Sequence, residues 1–118
     1  MLNIESRIQQ ACVRWFRLRY PRLAGLLYAI PNGGYRNAVT GAILKAEGAL
    51  AGVADLFLSV PNRSCHGLYI EMKTRKGRQQ ESQRRFQEAV EGQGYKYALC
   101  RSVDDFIAEV EGYLRFKD

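Results

Sequence analysis

The sequence predicts an α/β fold, a single mixed β-sheet flanked by helices, with elements in the order αβαββαβα. Three observations carry this. Apolar residues recur at helical spacing in four segments, four short apolar runs read as strands, and two of those strands are separated only by a turn-rich loop. A hairpin beside strands that are joined through helices implies both antiparallel and parallel neighbours, with helices packed on the sheet.

Residues 3–19 open the order. Ile4, Ile8, Cys12 and Trp15 repeat on one helical face with Ala11 and Phe16; Asn3 suits an N-cap and Pro21 ends the segment. LLYAI (26–30) is a short buried strand, stopped by the turn formers Pro31-Asn32-Gly33-Gly34. Residues 36–50 carry a second helical pattern through Val39, Ile43, Leu44 and Leu50, with Gly48 as a stop. ADLFLSV (54–60) and GLYIEMKT (67–74) form the hairpin across the loop PNRSCH. The polar stretch 78–94 forms a helix with Phe86 and Val90 facing inward. YKYALC (95–100) is the fourth strand, and Val103, Phe106, Ile107 and Val110 begin a closing helix whose positive end suits Asp104 and Asp105.

One domain accounts for all 118 residues, since the chain suffices for one modest core and no linker, repeat or low-complexity tract divides it. Eighteen Lys and Arg against 12 Asp and Glu leave a charge of +6, which favours a polyanionic partner without specifying one. Three singly scattered cysteines argue against a disulfide framework, and Cys65-His66 lacks the second pair that a zinc site needs. Cys12 and Cys100 read as core fillers. No apolar run approaches a membrane span, the first residues lack a secretory apolar core, and a cytoplasmic protein is expected.

The chemistry concentrates on the hairpin. In a strand, Glu71 and Lys73 point to one face while Ile70 and Met72 point to the other. Asp55 opens the preceding strand, so the hairpin brings two carboxylates and one ammonium together. Close carboxylates repel unless a cation intervenes, and a Mg²⁺ ion with oxygen ligands and waters removes the conflict. Such an ion makes a bound water easier to deprotonate and stabilises charge on a phosphate, with Lys73 placed to orient the water. Read without that context, Asp55 is a turn residue and Glu71 with Lys73 the wet face of a half-exposed strand.

The ordered combination of ESRIQQACVRWFR, PNGG, LKAEGALAGVADL, GLYIEMK and ESQRRF spans nearly the whole chain. It resembles the PD-(D/E)XK nuclease superfamily and, more narrowly, the short stand-alone form of the VRR-NUC (virus-type replication-repair nuclease) family. The resemblance implies a restriction-endonuclease-like core. It also implies metal-binding carboxylates at Asp55 and Glu71, a backbone carbonyl ligand at Met72, a catalytic lysine at Lys73, and a further acid at Glu5. Gln83 matches the glutamine that contacts the active site or DNA. The two last residues keep simpler readings beside these: a charge at a helix N-terminus for Glu5, and a solvated helix face for Gln83. Ala54 stands where the superfamily has proline, a change that removes a fixed φ and no ligand.

On this reading the chain is a Mg²⁺-dependent endonuclease, with Mn²⁺ able to substitute, acting on DNA and, as the resemblance further implies, on branched DNA such as four-way junctions through a homodimer. Arg75, Lys76, Arg78 and Arg84 form a basic run beside the site, suited to phosphate or simply to solvent. Asn32 and Arg36, with the intervening glycines, make either a phosphate nest or a plain turn, and Lys45 could join that surface. Alanine at Asp55, Glu71 or Lys73 should then remove cleavage and leave folding largely intact. The competing class is a non-catalytic basic DNA-binding module; an RNA-directed nuclease ranks last, for want of an RNA-recognition aromatic signature.

Overall fold

Asn3 starts the first helix as expected: its side chain accepts from the Ser6 amide at 2.7 Å. The computed structural model describes residues 3–31 and 38–116. In chain order these form α1 (Ile4–Arg19), a 3₁₀ helix (Pro21–Leu26), β1 (Leu27–Ala29), α2 (Ala38–Ala46), β2 (Leu56–Leu58), β3 (Leu68–Met72), α3 (Glu81–Gly92), β4 (Lys96–Cys100) and α4 (Val103–Arg115). The 3₁₀ turn after Pro21 was not legible as a separate element.

The four strands lie in the order β1-β2-β3-β4. β1 and β2 are antiparallel, β2 and β3 form the antiparallel hairpin, and β3 runs parallel to β4 after the α3 crossover. The sheet is mixed. Its two faces are differently covered. Leu56, Leu58, Leu68, Ile70, Met72 and Cys100 meet Cys12 and Phe16 of α1 and Phe106, Val110 and Tyr113 of α4 in the main core. On the opposite face Tyr69 stacks on Phe57 with ring centroids 4.4 Å apart, and Phe86 of α3 stands edge-on to Tyr69 at 5.0 Å. A strand covered on both faces is apolar throughout unless function intervenes. Glu71, and Lys73 one residue past the end of β3, are the exceptions, at 3% and 8% exposed.

Two expectations need correction. The strand read at 26–30 is not buried: β1 is an edge strand with β2 as its neighbour, Leu27 alone is buried, and Tyr28 is 49% exposed. Ile43 and Leu50, read as apolar members of a helix over 36–50, are also exposed, Ile43 on α2 and Leu50 beyond its end at Ala46. Gly48, at φ 110°, does end that helix region.

Gly52 has a stricter requirement. Its φ is 93°, and a Cβ there would collide with the backbone carbonyl of Ser82 at the start of α3. The segment leading to Asp55 therefore lies directly on the helix that carries Gln83. Gly41, inside α2, faces open space. Gly52→Ala should lower stability by at least about 1–3 kcal/mol, whereas Gly41→Ala should raise it by about 0.5–1 kcal/mol; paired thermal melts would check both.

Candidate active site

Asp55 ties three strands together. Its backbone carbonyl accepts from the Ile30 amide at 2.8 Å, just past β1. Its Oδ2 accepts from the Met72 amide at 2.7 Å, at the end of β3. The hairpin register that pairs Leu56 with Ile70 carries Asp55 toward Glu71. Where β2 stops, the Asp55 carboxylate replaces the next rung of the ladder. Alanine here would leave a buried amide unpaired, which costs about 1–3 kcal/mol, so Asp55→Ala carries a stability cost beside any loss of cleavage. Asparagine keeps an acceptor and is the better probe.

Glu71 is enclosed by α3. Its Oε2 accepts from Gln83 Nε2 at 2.9 Å and lies 3.8 Å from Lys73 Nζ. Its Oε1 is buried with no hydrogen-bond partner among the described residues. An orphaned carboxylate oxygen in that position is a defect in an apolar core and an asset in a ligand-binding site. Burial pushes the Glu71 carboxyl up to about 8, the Asp55 charge adds to the effect, and the Lys73 ammonium opposes it. Burial raises Asp55 as well, opposed first by the hydrogen bond from Met72. Two acids that cannot both ionise comfortably are the arrangement expected of a cation site.

Gln83 serves two partners. Its Oε1 accepts from the Gln80 amide at 2.7 Å, half of a capping box that fixes the start of α3, while its amide nitrogen holds Glu71. The reading of Gln83 as a merely solvated residue therefore fails.

Beside these groups runs a cleft of about 860 Å³, bounded by α1 on one side and by Ala29, Ile30 and Pro31 on the other. Asp55 and Met72 line it, and so does Glu5, whose charge raises both Asp55 and Glu71. Glu5 thus faces the site, although no three His, Cys, Asp or Glu side chains converge tightly enough to hold a metal among the described residues. The Met72 side chain belongs to the core, its amide is held by Asp55, and the residue lines the cleft beside that acid. The oxygen donors present, Asp55 and Glu71 with Glu5 across the cleft, suit a hard divalent cation that retains waters.

The basic residues are unequally placed. Arg75, Lys76 and Arg78 are exposed on the turn that follows Lys73. That turn is braced from behind by Arg101, whose Nη1 donates to the carbonyls of Thr74 at 2.8 Å, Arg75 at 3.2 Å and Gly77 at 2.6 Å. Sequence reasoning missed Arg101; nothing local marks a cation that reaches back across about 25 residues to fill a turn. Arg84 is exposed but engaged by Glu81 and Glu88 on its own helix, and Lys45 is exposed on α2. Asn32 and Arg36 lie outside the described residues. His66 stays in the hairpin loop, its ring against Tyr95, away from the acids.

A family model described as the VRR-NUC domain matches residues 3–104. A solved structure described as a VRR_NUC domain protein superposes with a TM-score of 0.86 at 21% identity, over 100% of this chain and 93% of that one. No curated protein sequence matches significantly. The chain belongs to the VRR-NUC domain family, whose members carry a nuclease-type, DNA-processing domain.

Proposed function

We propose that the chain is a Mg²⁺-dependent DNA endonuclease with Asp55, Glu71 and Lys73 at its centre, and that Mn²⁺ can take the place of Mg²⁺. The observation that carries this is the Glu71 carboxylate: buried, raised in pKa, held on one oxygen by Gln83, with no hydrogen-bond donor to the other among the described residues and the Asp55 carboxyl within hydrogen-bond reach. A DNA-binding module without catalysis has no use for that arrangement. Burying charge is costly unless it is paired or functional, and exposed arginines bind phosphate without it.

In this reading Asp55, Glu71 and the Met72 carbonyl would hold the cation, with Glu5 contributing from across the cleft. When bound, Mg²⁺ supplies Lewis-acid stabilisation of charge on the scissile phosphate and a more acidic water. The chain's own residues do the rest. Gln83 fixes the Glu71 carboxylate through one oxygen and leaves the second available. Lys73 keeps its ammonium 3.8 Å from that carboxylate, placed to orient the attacking water and to offset negative charge as the phosphate becomes five-coordinate. Met72, anchored in the core by its side chain, holds its main chain still. Arg75, Lys76 and Arg78 offer phosphate contacts next to the site.

Branched DNA, four-way junctions included, is the proposed substrate class, cut by a homodimer presenting two symmetric sites. The aromatic residues of α1 are used within the domain: Phe16 is buried and Trp15 packs edge-on against Phe106. Ile4 is exposed and open to a second copy, whereas Leu18, also exposed, lines the cleft. Light scattering should give a dimer at micromolar concentration; a wild-type monomer removes the paired-site reading.

Glu71→Gln and Lys73→Met should each slow Mg²⁺-dependent cleavage of junction, flap and linear DNA by at least ~10²-fold while DNA affinity persists. Cleavage at the wild-type rate by either purified variant would refute the site.

The raised Glu71 carboxyl also sets a pH dependence of stability. Below its ordinary value of 4.5 both folded and unfolded chains hold the proton; between 4.5 and about 8 the unfolded chain releases it first. Without divalent ion, stability should therefore fall as pH rises through that window. Melts in EDTA should show this decline, Glu71→Gln should flatten it, and Mg²⁺ should raise the melting temperature more at the alkaline end.

A further inference from the structure

The same cleft has a second end. Along α1, Glu5, Gln9, Val13 and Arg17 follow each other at intervals of four, and Ser6, Gln10 and Arg14 form the adjacent row; all line the cleft. The surface is thus polarised, with the Glu5 and Asp55 carboxylates at one end, amides in the middle and two guanidiniums at the other. Arg14 and Arg17 are exposed, and neither side chain makes an ion pair or hydrogen bond among the described residues. They differ in this from Arg19, which reaches Glu111 and lies over Tyr20, and from Arg84, held by Glu81 and Glu88. Two guanidiniums without a side-chain partner among the described residues, one turn apart in a groove that leads to the acids, suit a ligand carrying regularly spaced anionic groups.

Resting on the reading of the site as a nuclease, we propose that Arg14 and Arg17 form a phosphate-binding subsite that seats the DNA strand several nucleotides from the bond being cut. The helix rise of 1.5 Å per residue puts Arg14 about 14 Å and Arg17 about 18 Å along the axis from Glu5. At one phosphate per 3.4 Å of duplex axis on each strand, that separation corresponds to about four to five base pairs. Gln9 and Gln10 lie between, with amides able to donate to backbone or sugar oxygens on the way. The helix that brings Glu5 to the acids is then also the ruler that sets the footprint on one side of the cut.

The test measures DNA binding in a Glu71→Gln background with Mg²⁺, as a function of salt and of duplex length. Arg14→Ala/Arg17→Ala should reduce the slope of log affinity against log salt by about 1.8, the value for two lost phosphate contacts. Arg14→Lys/Arg17→Lys should restore most of that slope. Arg7→Ala/Arg22→Ala removes equal charge from exposed positions outside the cleft and should leave the slope near its starting value. Lengthening the duplex beyond about five base pairs on one side should strengthen binding, and the alanine pair should lose that gain. An unchanged slope in the Arg14/Arg17 pair, or an equal fall in the Arg7/Arg22 pair, overturns the subsite. If the chain with Glu71 intact still cuts DNA, that result leaves the proposed function standing; a chain that neither cuts nor binds DNA sinks both.

Discussion

A carboxylate held under a helix, on a strand whose two faces are both covered, is the constraint to which the remainder of this domain answers. Glu71 cannot be solvated where it lies, and its ordinary ionised form is disfavoured there by burial and by Asp55. Lys73 relieves part of that cost, at the long end of ion-pair distance. Gln83 relieves another part. What remains is an oxygen with unused capacity, beside a second acid whose own carboxylate already completes the hydrogen bonding of the sheet edge. A domain of this size tolerates such an arrangement only where stability and function have been balanced against each other.

The supporting structure follows from that need. α3 must sit close, so the chain before Asp55 has a glycine where it crosses Ser82. The start of α3 must be fixed in register, so the residue that caps it also holds the acid. Phe86 presses the same helix onto Tyr69, two positions from Glu71 on the same face of the strand. The parallel pairing of β3 with β4 continues to Met72 and Cys100, past the point where β2 ends, so the site lies at a sheet edge completed by a side chain.

Much of this was legible from the chain. Period-two alternation placed Glu71 and Lys73 on one face, and the length of the hairpin placed Asp55 near them. Asn3, with a cap's side chain at the head of an apolar repeat, marked the first helix to the residue. The misreadings have a common physical origin, because composition does not state which face a neighbour will cover. LLYAI has the apolar content of a buried strand but occupies an edge. Ile43 and Leu50 follow helical spacing and face solvent. Arg101 could not be found by motif, since its three acceptors are main-chain carbonyls whose convergence exists only after folding. The cleft along α1 was invisible for the same reason: Gln9, Gln10, Arg14 and Arg17 form an ordinary polar helix face until β1 is set opposite them.

That brace behind the turn has a consequence for recognition. Because one guanidinium gathers the carbonyls of Thr74, Arg75 and Gly77 inward, the backbone that presents Arg75, Lys76 and Arg78 is already shaped before any polyanion arrives. The conformational entropy of the turn is surrendered when the domain folds, so an encounter has only side-chain rotamers left to freeze. A substitution at position 101 would loosen the grip of a surface that it never touches.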